Sequence, residues 1–258
     1  MIVIPMAGQS ARFSSAGYQQ PKYMLRAHGK SLFEYAVSSF SAYLATERFL
    51  FIVRNVADTL NFVRTQAQGM GVRTGAVTVL RNPTRGQAET VALGIDQVEV
   101  RDDEPLTIFN IDTFRPGYRF PDVVGSGIDG YLEVFVGKGN NWSYVRPLPG
   151  GRVAETAEKR PISDLCCTGL YHFASAGLFR KAYQRAEASF VPGAGTGERP
   201  TELYVAPMYN ELISEGRDIR YHVIPRGDVI FCGVPEEYEA FLASDDWFRM
   251  DFAPGTVH

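Results

Sequence analysis

The sequence predicts an α/β fold: a mostly parallel, twisted sheet flanked by helices, with a smaller β-rich extension. Two observations carry that prediction. The first half alternates short apolar runs with helical patterns, and from about Asp129 the apolar runs shorten and turn residues separate them. A chain of 258 residues is long enough to bury one large core. The expectation is one unit over 1–258, with halves at about 1–128 and about 129–258.

The elements follow in order. Apolar runs at 1–5, 49–53, 77–80 and 106–111 read as strands, and residues 32–44, 56–68 and 89–98 carry helical patterns between them. That alternation is the mark of βαβ units around a parallel sheet. The run at 106–111 ends on Asp112, at the carboxyl end of a strand, where ligands of open α/β sheets gather. Strands are then predicted at 130–136, 142–146, 153–157 and 167–173, with Pro149-Gly150-Gly151 as a hairpin turn. Helices at 176–188 and 201–215, strands at 219–224 and 228–232, and a helix from about Pro235 complete the chain. Residues 191–199, rich in Gly and Pro, read as a mobile loop.

Composition narrows the function. No stretch approaches the roughly 18 apolar residues of a membrane span, and the opening strand lacks the features of a secretory signal, so a cytoplasmic protein is expected. Three cysteines, two adjacent at Cys166 and Cys167, fit no zinc spacing and are expected to be reduced thiols. A net charge of −3 argues against a protein that wraps nucleic acid. The four histidines, His28, His172, His222 and His258, are scattered without the spacing of a metal site or catalytic triad, and no P-loop element occurs. The expected partner is a small molecule, with no nucleic acid and no membrane insertion; a homo-oligomer stays open.

The opening carries the strongest chemical signal. A strand leads into Met6-Ala7-Gly8-Gln9-Ser10-Ala11-Arg12, followed by Pro21-Lys22. Small residues after a strand let backbone N–H groups approach an anion closely, and Arg12 and Lys22 add charge. Further on come Gly86-Gln87-Ala88-Glu89-Thr90, Asn110-Ile111-Asp112, Glu158-Lys159-Arg160-Pro161 and Thr168-Gly169-Leu170-Tyr171-His172-Phe173. Each segment alone has an ordinary reading: a tight turn at Gly8, a turn at Asp112-Thr113, a helix start at Gln87 and Glu89, an exposed strand lysine at Lys159.

Taken in order, the five segments resemble the signature of the sugar nucleotidyltransferase superfamily over nearly the whole chain. The resemblance implies a Rossmann-like three-layer fold whose β-rich extension binds the acceptor. It implies a transferase that joins a nucleoside monophosphate from a nucleoside triphosphate to a phosphorylated acceptor, such as a sugar 1-phosphate, releasing pyrophosphate and making an activated precursor for surface polysaccharide synthesis. Met6, Ala7, Gly8, Gln9, Ser10, Arg12, Lys22, Gly86 and Gln87 would bind the nucleotide. Asp112 would hold the catalytic Mg2+, and Lys159 would aim the acceptor phosphate. Trp142, Glu158 and Thr168 would complete the acceptor pocket beside Asp112 and Lys159.

This sequence departs from the pattern twice. One residue, Arg160, is inserted before Pro161. The late strand-end segment, where many members carry a second magnesium-binding Asp, has none between Val229 and Glu236. Asp228 is a candidate substitute; alternatively water and phosphate oxygens complete the magnesium shell. Cys232 in that segment has no basic neighbour in sequence and reads as a packed strand cysteine. Two other readings remain: a cytidylyltransferase for a phosphorylated alcohol or amino acid, and a glycosyltransferase of similar fold. A catalytically inactive binding protein is a minor third.

Overall fold

The computed structural model describes residues 1–190 and 202–250. The loop expected at 191–199 lies outside the described residues. In order, the elements are β1 (Ile2–Pro5), α1 (Ala11–Ser15), β2 (Arg26–Ala27), β3 (Lys30–Ser31), α2 (Leu32–Ser38), β4 (Arg48–Arg54), α3 (Thr59–Gly69), β5 (Thr74–Leu80), α4 (Gln87–Ile95), β6 (Leu106–Phe109) and β7 (Thr113–Phe114). There follow β8 (Gly130–Val136), β9 (Ser143–Leu148), β10 (Arg152–Glu158), β11 (Leu165–Phe173), α5 (Ala176–Ser189), α6 (Val205–Ser214), β12 (Ile219–Ile224), β13 (Ile230–Phe231) and α7 (Pro235–Leu242).

The main sheet runs β5-β4-β1-β6-β11-β8-β12-β10-β9. Its first four strands are parallel, as the βαβ alternation requires. β11 enters antiparallel beside β6 and turns the sheet mixed. The last strand, β9, also meets β11 where Tyr144 faces Cys166, so the extension curls back on itself. The class is α/β, with a core on each face of the sheet. Val3, Leu50 and Ile52 point into the core under α4, α5 and α6, while Ile2, Ile4, Phe49 and Phe51 point into the one under α2, α3 and α7. Both faces are covered, so these strands read as unbroken apolar runs rather than alternating ones. A third, smaller core of Phe135, Tyr144, Cys166, Ile224, Val229 and Phe231 sits in the extension.

The differences from the predicted elements have local causes. α2 starts on a capping box, with the Ser31 hydroxyl and the Glu34 carboxylate each accepting the other's backbone N–H, but ends at Ser38 instead of reaching residue 44. Phe40, Ser41 and Tyr43 donate to the carbonyls three residues back, so the chain tightens there into turns. α3 starts at Thr59, later than expected, because Ala57 and Asp58 adopt left-handed φ values of 50° and 57°. Residues 226–228 form a single tight turn, which shortens the strand expected at 228–232 to Ile230–Phe231. No helix among the described residues is long and apolar enough to cross a membrane.

Candidate active site

The cavity opens at the carboxyl ends of β1 and β6, has a volume of about 880 Å3 and runs on to β9 and β11 of the extension. It is large enough for two reactants side by side. One wall is the loop after β1, pinned by Met6 N–H donating to the Ile52 carbonyl at 2.7 Å. Gly8 borders open space: a methyl group built there meets no atom within 4 Å. Ser10 ends the loop in a left-handed conformation, φ 51°, and its hydroxyl accepts the Lys22 backbone N–H at 3.4 Å. Arg12, on α1, also lines this wall.

The start of α4 forms another wall of the cavity. Gly86 has φ 150°, and a methyl group there would sit 2.5 Å from the Leu203 carbonyl oxygen, so only glycine fits. Gln87 Nε2 donates to Asn110 Oδ1 at 2.5 Å, which fixes the amide at the cavity floor. Asn110 rests in turn on Gly169, whose φ is 94° and where a methyl group would come within 2.5 Å of Asn110 Nδ2. That close approach coincides with the register shift of β11 against β8 between Cys167 and Tyr171. The Thr-Gly pair is therefore a backbone requirement of the site.

Asp112 follows β6 and lines the cavity. Lys22 Nζ donates to its Oδ2 at 2.5 Å, and both side chains are about one-fifth exposed. β13 runs antiparallel to β7, with Phe231 opposite Thr113, and Cys232 N–H donates to the Asp112 carbonyl at 2.8 Å. The late segment thus lies against Asp112, as the resemblance implies, but brings Phe231, Cys232 and Gly233. Burial, reinforced by the Glu237 and Asp112 carboxylates, pushes the Cys232 thiol well up, so it stays protonated and inert.

Toward the extension, Trp142 packs on Phe231, ring centroids 4.6 Å apart, and on Phe135 at 5.2 Å. Glu158 accepts a hydrogen bond from the Ser143 hydroxyl; burial pushes its carboxyl above the usual range, against the pull of that bond and of Lys159. Thr168 is buried, donating to Glu133 Oε1 at 3.0 Å.

All nine residues expected at the nucleotide line the cavity, and so do Asp112, Trp142, Glu158 and Thr168. Two expected residues are placed otherwise. Lys159 does not line the cavity; it is exposed, with φ 53°, and Nζ donates to the Tyr204 hydroxyl at 2.6 Å. The left-handed backbone just before the inserted Arg160 turns the side chain outward, and Tyr204 stands at the wall in its place. Asp228 also lies off the cavity: it is exposed in the turn at 226–228, and its carboxylate is 3.6 Å from the Arg249 guanidinium. The chain turns at 226–228 before β13 brings Cys232 back to the Asp112 backbone. Residues not singled out from sequence include Asn110, Arg85, Tyr204 and Glu237. Glu237 reads in sequence only as an acid in the first turn of a helix, which gives no sign of the cavity.

A solved structure of a nucleoside-diphosphate-sugar pyrophosphorylase from Vibrio cholerae RC9 has 53% sequence identity and a TM-score of 0.88, over 95% of this chain and 100% of that one. Identity at that level along both chains decides the family. The chain belongs to the sugar nucleotidyltransferase superfamily. It is a nucleotidyltransferase. Two further solved structures share the fold at 16% identity. One is described as a glucose-1-phosphate thymidylyltransferase from Bacillus anthracis, with a TM-score of 0.73 over 99% of this chain and 97% of that one. The other is an inositol-1-phosphate CTP transferase from T. maritima, with a TM-score of 0.71 over 100% and 97%. No family model and no curated protein matches the sequence.

Proposed function

We propose that this nucleotidyltransferase transfers a nucleoside monophosphate from a nucleoside triphosphate to a sugar 1-phosphate and releases pyrophosphate. The observation that carries the reading is the Lys22–Asp112 pair, set between the small-residue loop on one side and the Trp142, Glu158 and Thr168 pocket on the other. An oxygen of the acceptor phosphate attacks the α-phosphorus while pyrophosphate leaves. Both reactants are anions, so the protein's task is to position them and offset their repulsion; no covalent nucleophile is required.

The residues divide that task. The Gly8 backbone leaves room for the triphosphate, and Arg12 and Lys22 supply cations to it. Gln87, held by Asn110, faces the base. Trp142 and Glu158 receive the acceptor, with Tyr204 at its rim anchored by Lys159. The donor set also fits magnesium: Asp112 offers a hard carboxylate oxygen that already draws a cation, the Lys22 ammonium. When bound, that ion would offset charge between the two phosphates. We further infer that the product feeds surface polysaccharide synthesis in the cytoplasm, a reading supported by family resemblance.

The test is a pyrophosphate-release screen with magnesium, pairing CTP, UTP, GTP, dTTP and ATP with sugar 1-phosphates, phosphorylated alcohols and phosphorylated amino acids. Release that needs both partners, with a nucleotide-linked product by mass, is the expected result. A product only with a phospho-alcohol or phospho-amino acid would replace the sugar 1-phosphate, and nucleotide release from a nucleotide sugar alone would replace the reaction. Lys22→Ala and Asp112→Asn should each lower the rate by about a hundredfold or more, because both groups act on charge that develops in the transition state.

A further inference from the structure

The segment between β13 and α7 places a second carboxylate at Asp112. Glu237 projects from the first turn of α7 into the cavity, and its Oε2 accepts the Gly233 N–H at 2.7 Å. Gly233 stands between the two acids. A methyl group there would lie 3.1 Å from Asp112 Oδ2 and 3.5 Å from Glu237 Oε2, so the absence of a side chain lets the carboxylates face each other. The Gly233 hydrogen bond explains why an acid suits the start of α7; it does not require that acid to face Asp112. Among the described residues, the Lys22 ammonium lies 2.5 Å from Asp112 Oδ2, while Glu237 makes no ion pair and feels Arg226 only as a weaker, more distant charge.

We propose that Asp112 and Glu237 together form the seat of a divalent cation, and that Lys22 occupies this seat until the cation arrives, then turns to the triphosphate. Charge decides the exchange. Lys22 neutralises Asp112 alone, and Arg226 acts on Glu237 less strongly than Asp112 does, so the pair keeps a negative charge that a divalent ion between the two acids offsets better than one ammonium. Hard oxygen ligands in so small a number suit magnesium, which keeps several waters and accepts the remaining ligands from phosphate. The chain thereby supplies from α7 the carboxylate that β13, carrying Phe231 and Cys232, does not. Lys22 freed from Asp112 is a cation placed one side chain's reach from the loop that would hold the triphosphate. The identity of the cation rests on the nucleotidyltransferase reading above, whereas the seat itself does not depend on which base or acceptor is used.

The test is a titration of the free protein with Mn2+, followed by electron paramagnetic resonance of the unbound ion, without nucleotide or acceptor. Lys22→Met should bind Mn2+ more tightly than the parent, because the competing ammonium is gone. In that background, Glu237→Gln and Asp112→Asn should each weaken binding by about tenfold or more. Gly233→Ala, which keeps every charge but drives a methyl group between the acids, should weaken it as well and guards against a folding defect in the acid variants. Equal Mn2+ affinity with and without Lys22 would overturn the exchange. Undiminished affinity of the Lys22→Met protein on adding Glu237→Gln would overturn the seat. A silent pyrophosphate screen beside the expected Mn2+ pattern would sink the proposed reaction and leave the seat standing.

Discussion

At the scale of single residues, the site depends on groups that are not there as much as on groups that are. Gly8 meets no atom within 4 Å of where a methyl group would be, so the folded protein gains nothing from having glycine at that point. The space matters only when a ligand fills it. Gly8→Ala should therefore leave thermal stability within about 0.5 kcal/mol of the parent while raising the KM for the triphosphate. A fall in melting temperature with an unchanged KM would assign the glycine to folding instead. Gly169 is the opposite case. Its φ of 94° and its contact with Asn110 make glycine a requirement of the fold, so Gly169→Ala should cost about 1–3 kcal/mol in a denaturant titration. The same substitution pushes Asn110 away from Gln87 and should weaken nucleotide binding. Only the Thr-Gly-x-Tyr pattern was legible beforehand, because a positive φ leaves a trace in sequence and the side chain resting on it does not.

At the scale of elements, β11 joins the parallel half of the sheet to the extension, and it carries a buried histidine. His172 Nδ1 lies 2.9 Å from the Thr107 hydroxyl on β6. Burial, with a smaller contribution from the amino terminus, pulls the imidazole from the usual 6.5 down to about 4. The unfolded chain takes up a proton at His172 below about pH 6.5, whereas the folded chain resists until about pH 4. Its contribution is thus intact above pH 6.5 and is lost as pH falls toward 4, by an amount on the order of 3 kcal/mol. Unfolding followed at several pH values should show this acid loss, and His172→Asn should flatten the curve across that window. The elements themselves were mostly legible. β8 and β12 match the predicted spans residue for residue, since apolar runs bounded by turn residues report strands directly. The ends of α2 and α3 were not, because they depend on Ser39, whose hydroxyl accepts the Arg115 N–H, and on the left-handed Ala57 and Asp58.

At the scale of the whole molecule, the segments before and after residue 128 share one sheet and, among the described residues, the buried Arg115–Glu133 ion pair. Arg115, after β7, makes a two-pronged contact with Glu133 on β8, Nε to Oε1 at 2.7 Å and Nη2 to Oε2 at 3.0 Å. Glu133 also accepts from Thr168 on β11, and the Arg115 guanidinium donates to the Asp228 carbonyl. The pair thus ties β7, β8, β11 and the turn before β13 behind the cavity. Removing one partner strands a buried charge, so Glu133→Ala should destabilise the protein by about 3–5 kcal/mol. If residues 1–258 form one unit, as the sequence led us to expect, the parent should unfold in a single calorimetric transition; two resolved transitions would divide it.

The sequence by itself determined the alternation of strands and helices, the family and the loop-borne residues that line the cavity. Those features are local: strand and helix periods, a small-residue loop after a strand, an Asp closing an apolar run. Only the tertiary structure decided that Lys159 turns out to Tyr204, that Asp228 stays at the surface, and that Glu237 faces Asp112 across Gly233. Glu237 and Asp112 lie far apart in the chain, and their meeting depends on β13 pairing with β7 and on the direction in which α7 leaves it. No spacing in the sequence encodes that convergence, because it arises from how distant elements pack.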